Sequence, residues 1–309
     1  MTPTSEGRPS SPTALPASQV TVATPARSGA GSWLLARLVE SALIYIVFGV
    51  VILFFVTPFA WLFLAAFDAK AGPFLHWPER FTLDNFAYIF RELDFARAVA
   101  NSTFIATATM LLDVLTVSLA AYAISRLQIR RKDWLMYGLL LLQTMPITAT
   151  MVPIYGLARQ LGLRNSYLGL ILVHAALDLP FLIWLLKGFF DTVPRYLEEA
   201  AWLDGRGKLR ALFEIVLPVA APGLGVVAGL SFLNAWSEVL MVLILVDRPE
   251  MMTVPLAFYQ TFRSAGGYTE VRYELIAAMG VLYLMPVMLL FLVTRNFLVR
   301  GMTATTKGL

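Results

Sequence analysis

Long apolar runs separated by shorter polar segments dominate the chain after residue 40. A helix needs about 20 mostly apolar residues to cross the hydrocarbon core of a bilayer. Six stretches reach that length, and we predict a transmembrane helix for each: 41–67, 99–124, 134–158, 167–190, 219–246 and 274–298. Several contain a proline, which membrane helices tolerate where a neighbour or a lined cavity satisfies the freed carbonyl. The predicted fold class is therefore all-α, a polytopic membrane protein with six transmembrane helices.

The first 33 residues differ sharply from the rest. Residues 1–33 are rich in Pro, Ser, Thr, Ala and Gly and offer little to bury, so we predict a disordered tail there. The first apolar run exceeds the roughly 7–15 residues of a signal-peptide core, and it follows a long polar segment. We therefore expect a retained helix and a single membrane domain over 34–309.

Composition supports a membrane protein and excludes several other classes. Hydrophobic residues make up 58% of the 309 positions and charged residues only 14%, whereas a soluble domain carries about a quarter charged residues. The net charge of +4 does not indicate nucleic acid, because the basic residues form no patch interleaved with aromatics. With no cysteine and only His76 and His174, we expect no disulfide, no metal site and no catalytic residue.

The placement of Lys and Arg predicts the orientation, since these residues are enriched in cytoplasmic loops. With the N-terminus inside, fifteen of the 24 basic residues fall on the cytoplasmic side: Arg8, Arg27, Arg37, Arg126, Arg130, Arg131, Lys132, Lys187, Arg195, Arg206, Lys208, Arg210, Arg295, Arg300 and Lys307. We therefore expect both termini and the loop 191–218 to be cytoplasmic.

The loop 191–218 is strongly charged although apolar spans flank it. "DTVPRYLEEAAWLDG" predicts a short helix that Gly205 ends, because glycine readily adopts the positive φ of a helix stop. "KLRALFEI" predicts a second helical piece, with apolar residues at helical spacing. Helicity alone leaves two interpretations open, an amphipathic helix resting on lipid headgroups or a docking surface for another protein.

The spacing within this loop carries a resemblance to a known family. "EAA", three residues, a glycine, nine residues and then "I-x-L-P" (199–218) resembles the EAA motif of permease subunits of bacterial ATP-binding-cassette importers. In that family the loop is a coupling helix that docks on a cytoplasmic ATPase. The resemblance implies five docking and turn positions in this chain: Glu199, Ala200, Ala201, Asp204 and Gly205.

Four further segments are similar to the carbohydrate-uptake, MalG-like permeases within that family. They are "FTLDNFAYIF" (81–90), "NSTFIA" (101–106), "AAYAISRL" (120–127) and "VRGMTATTKG" (299–308), the last with Thr305 and Thr306 in place of small residues. The resemblance implies a sugar or oligosaccharide importer in the bacterial inner membrane. It also implies three kinds of partner: a second, homologous permease, two copies of an ATPase and an extracytoplasmic solute-binding protein.

The one Gly-Lys pair in the sequence does not belong to a phosphate-binding loop. In "GRGKL" (205–209), Leu209 replaces the required Ser or Thr and Trp202 stands where the earlier glycine belongs. We therefore expect the chain to bind no cofactor, with ATP and Mg²⁺ bound by the partner ATPase.

Polar side chains within the spans mark candidates for the translocation path. Asn234, Ser237 and Glu238 fall in "NAWSEVL" (234–240), where amide and carboxylate groups could bind sugar hydroxyls; hydrogen bonds to the second permease are the alternative. Gln143 and Thr144 are weaker candidates of the same kind.

Two other buried acids have structural explanations. His174 and Asp178 are four residues apart on one helix face, so we predict that they pair, with a contact to the solute as the alternative. An interface with another subunit accounts for Asp113.

The sequence also bears on alternative solutes and on two other classes of membrane protein. A glycerol-phosphate solute would favour a basic residue near the middle of a span, and none is present; a polyamine importer is a further alternative. A secondary transporter would predict inverted repeats, which are not evident. A membrane enzyme would need a cluster of catalytic residues at one depth.

Overall fold

The computed structural model describes the backbone of residues 30–265 and 271–306 and the side chains of 37–262 and 271–292. Regular structure in these ranges is helical, apart from an isolated antiparallel bridge between Asp68 and Phe81. The predicted tail, 1–33, lies outside the described residues except for 30–33, which form the start of the first helix. The similar C-terminal segment, 299–308, lies outside the described side chains.

Thirteen α-helices are numbered here in chain order within the described ranges. They are α1 (Ala30–Ala66), α2 (Asp84–Glu92), α3 (Phe95–Arg126), α4 (Lys132–Gln143), α5 (Ile147–Gln160), α6 (Tyr167–Thr192), α7 (Arg195–Leu203), α8 (Lys208–Ala211), α9 (Leu217–Val219), α10 (Ala221–Ser237), α11 (Leu240–Leu245), α12 (Val254–Ala265) and α13 (Tyr273–Thr306). A π-helical turn, Leu212–Val216, joins α8 to α9, and a 3₁₀ turn, Pro249–Met251, precedes α12.

Among the described residues, four helices are long and apolar enough to cross a membrane, and counting each of two bent helix pairs as one span gives up to six. The four are α1 from Arg37 onwards, α3, α6 and α13 up to Leu292. Helices α4 and α5 meet at 94°, and Lys208–Val219 meets α10 at 85°. The all-α class with up to six spans is therefore confirmed, but the third predicted span, 134–158, is not one straight helix.

The break in the third span has a local cause. Helix α5 begins after Pro146, whose backbone is extended (φ −64°, ψ 133°). Proline lacks an N–H and disfavours helical geometry in the residue before it, so α4 ends at Gln143.

The prediction of one continuous fifth helix over 219–246 is wrong. Helix α10 ends at Ser237, and the Glu238 backbone is extended (ψ 122°) before α11 starts at Leu240. The Glu238 carboxylate causes the restart, since its Oε1 accepts hydrogen bonds from the backbone N–H groups of Leu240 (2.6 Å) and Met241 (3.0 Å).

The chain divides into two units, Met1–Val56 and Thr57–Leu309. In the first, every described side chain from Arg37 to Val56 is exposed, although the helix is apolar on all sides. Such a helix suits a lipid environment.

In the second unit, α3 is the central helix and packs most extensively on α6 and α10. One apolar cluster unites Val117 of α3, Leu182 and Phe190 of α6, and Leu212 and Val216 of the π-helical turn. The polar loop between α6 and α10 is thus fixed to the spans by its own apolar side chains.

Two of the family-like segments act as structural ties. The Asn85 Nδ2 donates to the carbonyls of Ala66 (3.0 Å) and Asp68 (2.8 Å), which joins α2 to the end of α1. The Asn101 Nδ2 donates to the carbonyls of Glu250 (2.9 Å) and Met252 (2.8 Å) and joins α3 to the 3₁₀ turn. These buried amides satisfy carbonyls that no helix pairs.

We predict that Gly223→Ala in α10 destabilises the protein whereas Gly229→Ala does not. A Cβ at Gly223 would lie 2.4 Å from Phe189 Cγ and 2.8 Å from its Cβ, while a Cβ at Gly229 meets nothing within 4 Å. Overpacking costs about 1–3 kcal/mol, which outweighs the roughly 0.5–1 kcal/mol that alanine gains in a helix. Thermal midpoints in detergent check this; equal midpoints for the two variants would contradict the packing at Phe189.

Candidate functional site

The loop between α6 and α10 folds into the predicted helix, turn and helix. Helix α7 ends at Leu203, and Gly205 adopts φ +81°. The turn is closed by hydrogen bonds from Gly205 N–H to the Trp202 carbonyl (3.0 Å) and from Arg206 N–H to the Ala201 carbonyl (3.0 Å). A Cβ at Gly205 would meet nothing within 4 Å, so backbone conformation rather than space requires glycine there.

The five predicted docking residues do not share one environment. Glu199, Ala200, Asp204 and Gly205 are exposed, whereas Ala201 is only 3% exposed and packs inside the chain. Leu203, which was not among the predicted positions, is 90% exposed beside them. We call Glu199, Ala200, Leu203, Asp204 and Gly205 the docking face.

Sequence reasoning missed Glu198, which is 1% exposed and points away from the docking face. Its Oε1 accepts from Arg126 Nε at 2.5 Å, and its Oε2 accepts from the Tyr122 hydroxyl at 2.8 Å. Removing one member of a buried ion pair typically costs about 3–5 kcal/mol, because the other charge stays buried. The sequence offered one indication of this contact, because both partners of Glu198, Tyr122 and Arg126, lie in the family-like segment "AAYAISRL".

The same cluster ties the end of α6 to the end of α3. Arg126 Nη2 donates to the Val193 carbonyl (2.9 Å), between α6 and α7. The Ser125 hydroxyl donates to Asp191 Oδ1 (2.6 Å), and Lys187 pairs with the other oxygen of Asp191. Three elements, α3, α6 and α7, therefore meet in one hydrogen-bonded network.

A cavity of 460 Å³, lined by both polar and apolar side chains, lies among the α4–α5 bend, the middle of α6 and the end of α10. It brings together all three predicted path residues with polar groups from the other elements: Gln143, Thr150, His174, Asp178, Asn234, Ser237 and Glu238. Thr144 is not among the lining residues, and its hydroxyl donates to the Leu141 carbonyl of its own helix (2.8 Å).

The predicted pair of His174 and Asp178 is wrong. Asp178 Oδ1 instead accepts from Asn234 Nδ2 of α10 at 2.9 Å. Within the described part of the chain, Asp178 Oδ2 and both ring nitrogens of His174 have no hydrogen-bond partner, although His174 is 3% exposed. These groups border the cavity with hydrogen-bonding capacity that the chain itself does not use.

Asp113 does not lie at a surface open to another subunit, so that expectation is corrected. It is fully buried inside the chain, and its Oδ2 accepts from the Ser231 hydroxyl at 2.6 Å. The bond joins the middle of α3 to α10, because Asp113 and Ser231 face each other across that packed pair.

The cavity has a distinct charge character. Asp178 and Glu238 border it, and no Lys or Arg is among the described residues that line it. Among the described residues, no group of three or more His, Asp or Glu side chains could hold a metal ion. The described cavity is thus suited to hydrogen bonding and to neutral or cationic ligands.

Apolar spans around a cavity that polar side chains help to line define a multi-pass membrane protein. The chain belongs to the family of binding-protein-dependent transport system inner membrane components, whose model matches residues 113–304, more than half of the chain. It is therefore a permease component of an ATP-binding-cassette importer, embedded in the inner membrane.

Two relatives and one solved structure illustrate the likeness. The sulfoquinovosyl glycerol transport system permease protein SmoH of Agrobacterium fabrum is 31% identical over 80% of this chain and 87% of its own length. The maltodextrin transport system permease protein MdxG of Bacillus subtilis is 35% identical over 74% of this chain and 81% of its own. A bacterial ABC transporter that imports the acidic polysaccharide alginate shares the fold, with a TM-score of 0.73 at 18% identity over 84% of this chain and 97% of that chain.

We predict that Ser231→Ala destabilises the protein more than Ser237→Ala does. Ser231 supplies the hydrogen bond that Asp113 receives in the interior, whereas the exposed Ser237 hydroxyl donates to the Leu233 carbonyl of its own helix. Leaving a buried acceptor unsatisfied costs about 1–3 kcal/mol, and more for a charged one. Thermal midpoints in detergent test this. A loss at Ser237 equal to that at Ser231 would contradict the assigned role of the Asp113 bond.

Proposed function

We propose that this permease forms half of a translocation path for a neutral sugar or oligosaccharide, driven by ATP hydrolysis on separate subunits. The proposal rests most on one observation, the exposed docking face at the end of α7, which includes the left-handed Gly205 and has the family's EAA spacing. The assembly would contain a second, homologous permease, two ATPase copies and an extracytoplasmic binding protein. Both termini and the docking face would be cytoplasmic.

The docking face is chemically suited to a protein partner. Ala200 and Gly205 have little or no side chain and let another surface approach closely, while Glu199 and Asp204 supply charge for a basic partner residue. Ala201, being buried, holds α7 against its own chain rather than meeting the ATPase. ATP and Mg²⁺ would bind to the ATPase subunits alone, since this chain has no phosphate-binding loop.

The cavity supports the choice of a neutral solute. A volume of 460 Å³ lies in the range of about 300–1,000 Å³ common for small-molecule sites. Planar amide and carboxylate groups from Gln143, Asp178, Asn234 and Glu238 can bind several hydroxyls at once. An acidic solute, such as the acidic polysaccharide named for the alginate importer, would meet carboxylates without a balancing base among the described lining residues.

A polyamine is the second candidate solute. Asp178 and Glu238 border the cavity, and the described lining residues include no Lys or Arg, which favours a cation as well as a neutral ligand. The two solutes differ in what they require, because a cation needs the carboxylate charge and a sugar needs the hydrogen-bonding atoms.

We predict that Gly205→Val and Glu199→Lys leave the subunit folded but abolish solute-stimulated ATP hydrolysis by the complex. Valine is strained at φ +81°, and a lysine in place of Glu199 would repel a basic partner surface. Gly207→Val is the matched control, since Gly207 has φ −74° and open space around it. ATPase activity of the reconstituted complex is the measurement. Unchanged stimulation in both variants would refute docking at this face.

We predict that Asn234→Ala lowers binding-protein-dependent uptake of maltotriose at least tenfold. A tenfold loss corresponds to about 1.4 kcal/mol, which is close to what one hydrogen bond usually contributes. Gln160→Ala, an exposed amide at the end of α5, serves as the control. Uptake of radiolabelled maltotriose and of spermidine is measured in both variants and in Glu238→Gln. Loss of spermidine uptake with Glu238→Gln, in a protein that does not carry maltotriose, would favour the polyamine.

A further inference from the structure

We propose that Arg126, Tyr122 and Glu198 form a clamp through which movement of the docking face reaches the helices around the cavity. Arg126 and Glu198 are then positioning residues for coupling. This inference rests on the proposed function, because it assumes that an ATPase moves α7.

The clamp joins two helix ends whose electrostatics favour it. Arg126 is the last residue of α3, where the helix dipole is negative, and Glu198 lies in the first turn of α7, where it is positive. The Arg126 Nε to Glu198 Oε1 distance is 2.5 Å, and the two side chains are only 8% and 1% exposed. Their attraction is therefore little screened by solvent.

Extra hydrogen bonds fix the geometry of the pair. The Tyr122 hydroxyl, one turn before Arg126, donates to Glu198 Oε2 (2.8 Å), so both carboxylate oxygens are engaged. Arg126 Nη2 donates to the Val193 carbonyl (2.9 Å), immediately before α7. A planar guanidinium held at several points resists rotation, which a single charge contact would allow. Helix α7 thus cannot tilt without moving the end of α3.

Each helix held at the clamp reaches the cavity. Helix α3 is joined at its middle to α10 through Asp113 and Ser231 (2.6 Å), and the end of α10 carries Asn234 and Glu238. Helix α6 is joined to α3 through Asp191 and Ser125 (2.6 Å), and its middle carries Asp178. Displacement of α7 therefore has two hydrogen-bonded routes to the cavity walls.

The two adjacent glutamates, Glu198 and Glu199, have different roles in the proposed clamp. Glu199 is exposed on the docking face, whereas Glu198 is buried and holds that face to α3. Consecutive helical residues point about 100° apart, so one helix can contact the partner and the spans together.

The test uses hydrogen–deuterium exchange on the complex with its partner permease and ATPase, with MgATP as the probe. In the wild type we expect slow exchange over 195–203 and an ATP-dependent change in exchange over 234–240. Arg126→Gln and Glu198→Gln should speed exchange over 195–203 at least tenfold and remove at least half of the ATP-dependent change. Arg210→Gln, which breaks an exposed ion pair with Glu214 in the same loop, should do neither.

Two further variants keep the test decisive. Tyr122→Phe retains the ring in the interior and loses one hydrogen bond, so it decides the matter if the charge variants fail to assemble; it should reduce the ATP-dependent change measurably. Arg126→Lys keeps the charge and should restore part of the change lost in Arg126→Gln.

The outcomes separate the clamp from the proposed function. Faster exchange over 195–203 with an undiminished ATP response at 234–240 would make the pair merely structural and overturn the proposal. Unchanged exchange over 195–203 would overturn it too. If the wild-type permease does not hold the ATPase subunit in a complex at all, docking at α7 is wrong. The proposed function then fails, and the clamp variants are not needed to show it.

Discussion

Backbone N–H and C=O groups cannot stay unpaired in a hydrocarbon core, and this constraint organises the whole chain. It requires helices, and it permits interruptions only where a cavity or a neighbouring group satisfies the freed atoms. Two of the interruptions within the bilayer-length runs, before Pro146 and at Glu238, border the cavity, whereas the bend between α9 and α10 does not. The Glu238 carboxylate even caps the helix that follows it. The helix interruptions before Pro146 and at Glu238 thus also shape the wall of the cavity.

The charged loop follows a related logic. Its apolar residues, Leu212 and Val216, pack against the spans, and its buried acid Glu198 meets a base from the end of α3. Burying that ion pair is costly, and it is retained because both charges are hydrogen-bonded. The docking face, which leaves out the buried Ala201, presents the small and acidic groups of Glu199, Ala200, Asp204 and Gly205 outward, together with the exposed Leu203. Helix α7 therefore contacts the spans through Glu198 and exposes Glu199 on its other side.

The sequence allowed much of this to be predicted, for reasons that particular residues make clear. Hydropathy locates the spans, and the positive φ of Gly205 follows from its place just after the predicted loop helix. Hydropathy cannot reveal that 219–246 breaks at Glu238, because the run as a whole is long and apolar and the break depends on the local bonds of the Glu238 carboxylate. Spacing also misled, because His174 and Asp178 share a face but Asp178 bonds across to Asn234. Glu198 was hidden by Glu199, which fits the motif while its neighbour makes the tertiary contact.

The most direct test of the central claim is to identify what co-purifies with the tagged chain when it is co-expressed with its genomic neighbours and extracted in mild detergent. Mass spectrometry of the intact assembly gives both identity and copy number. The proposed function predicts one different permease and two copies of an ATPase. A chain that purifies alone, or only with itself, and still moves solute in vesicles would contradict the docking face and point to a secondary transporter.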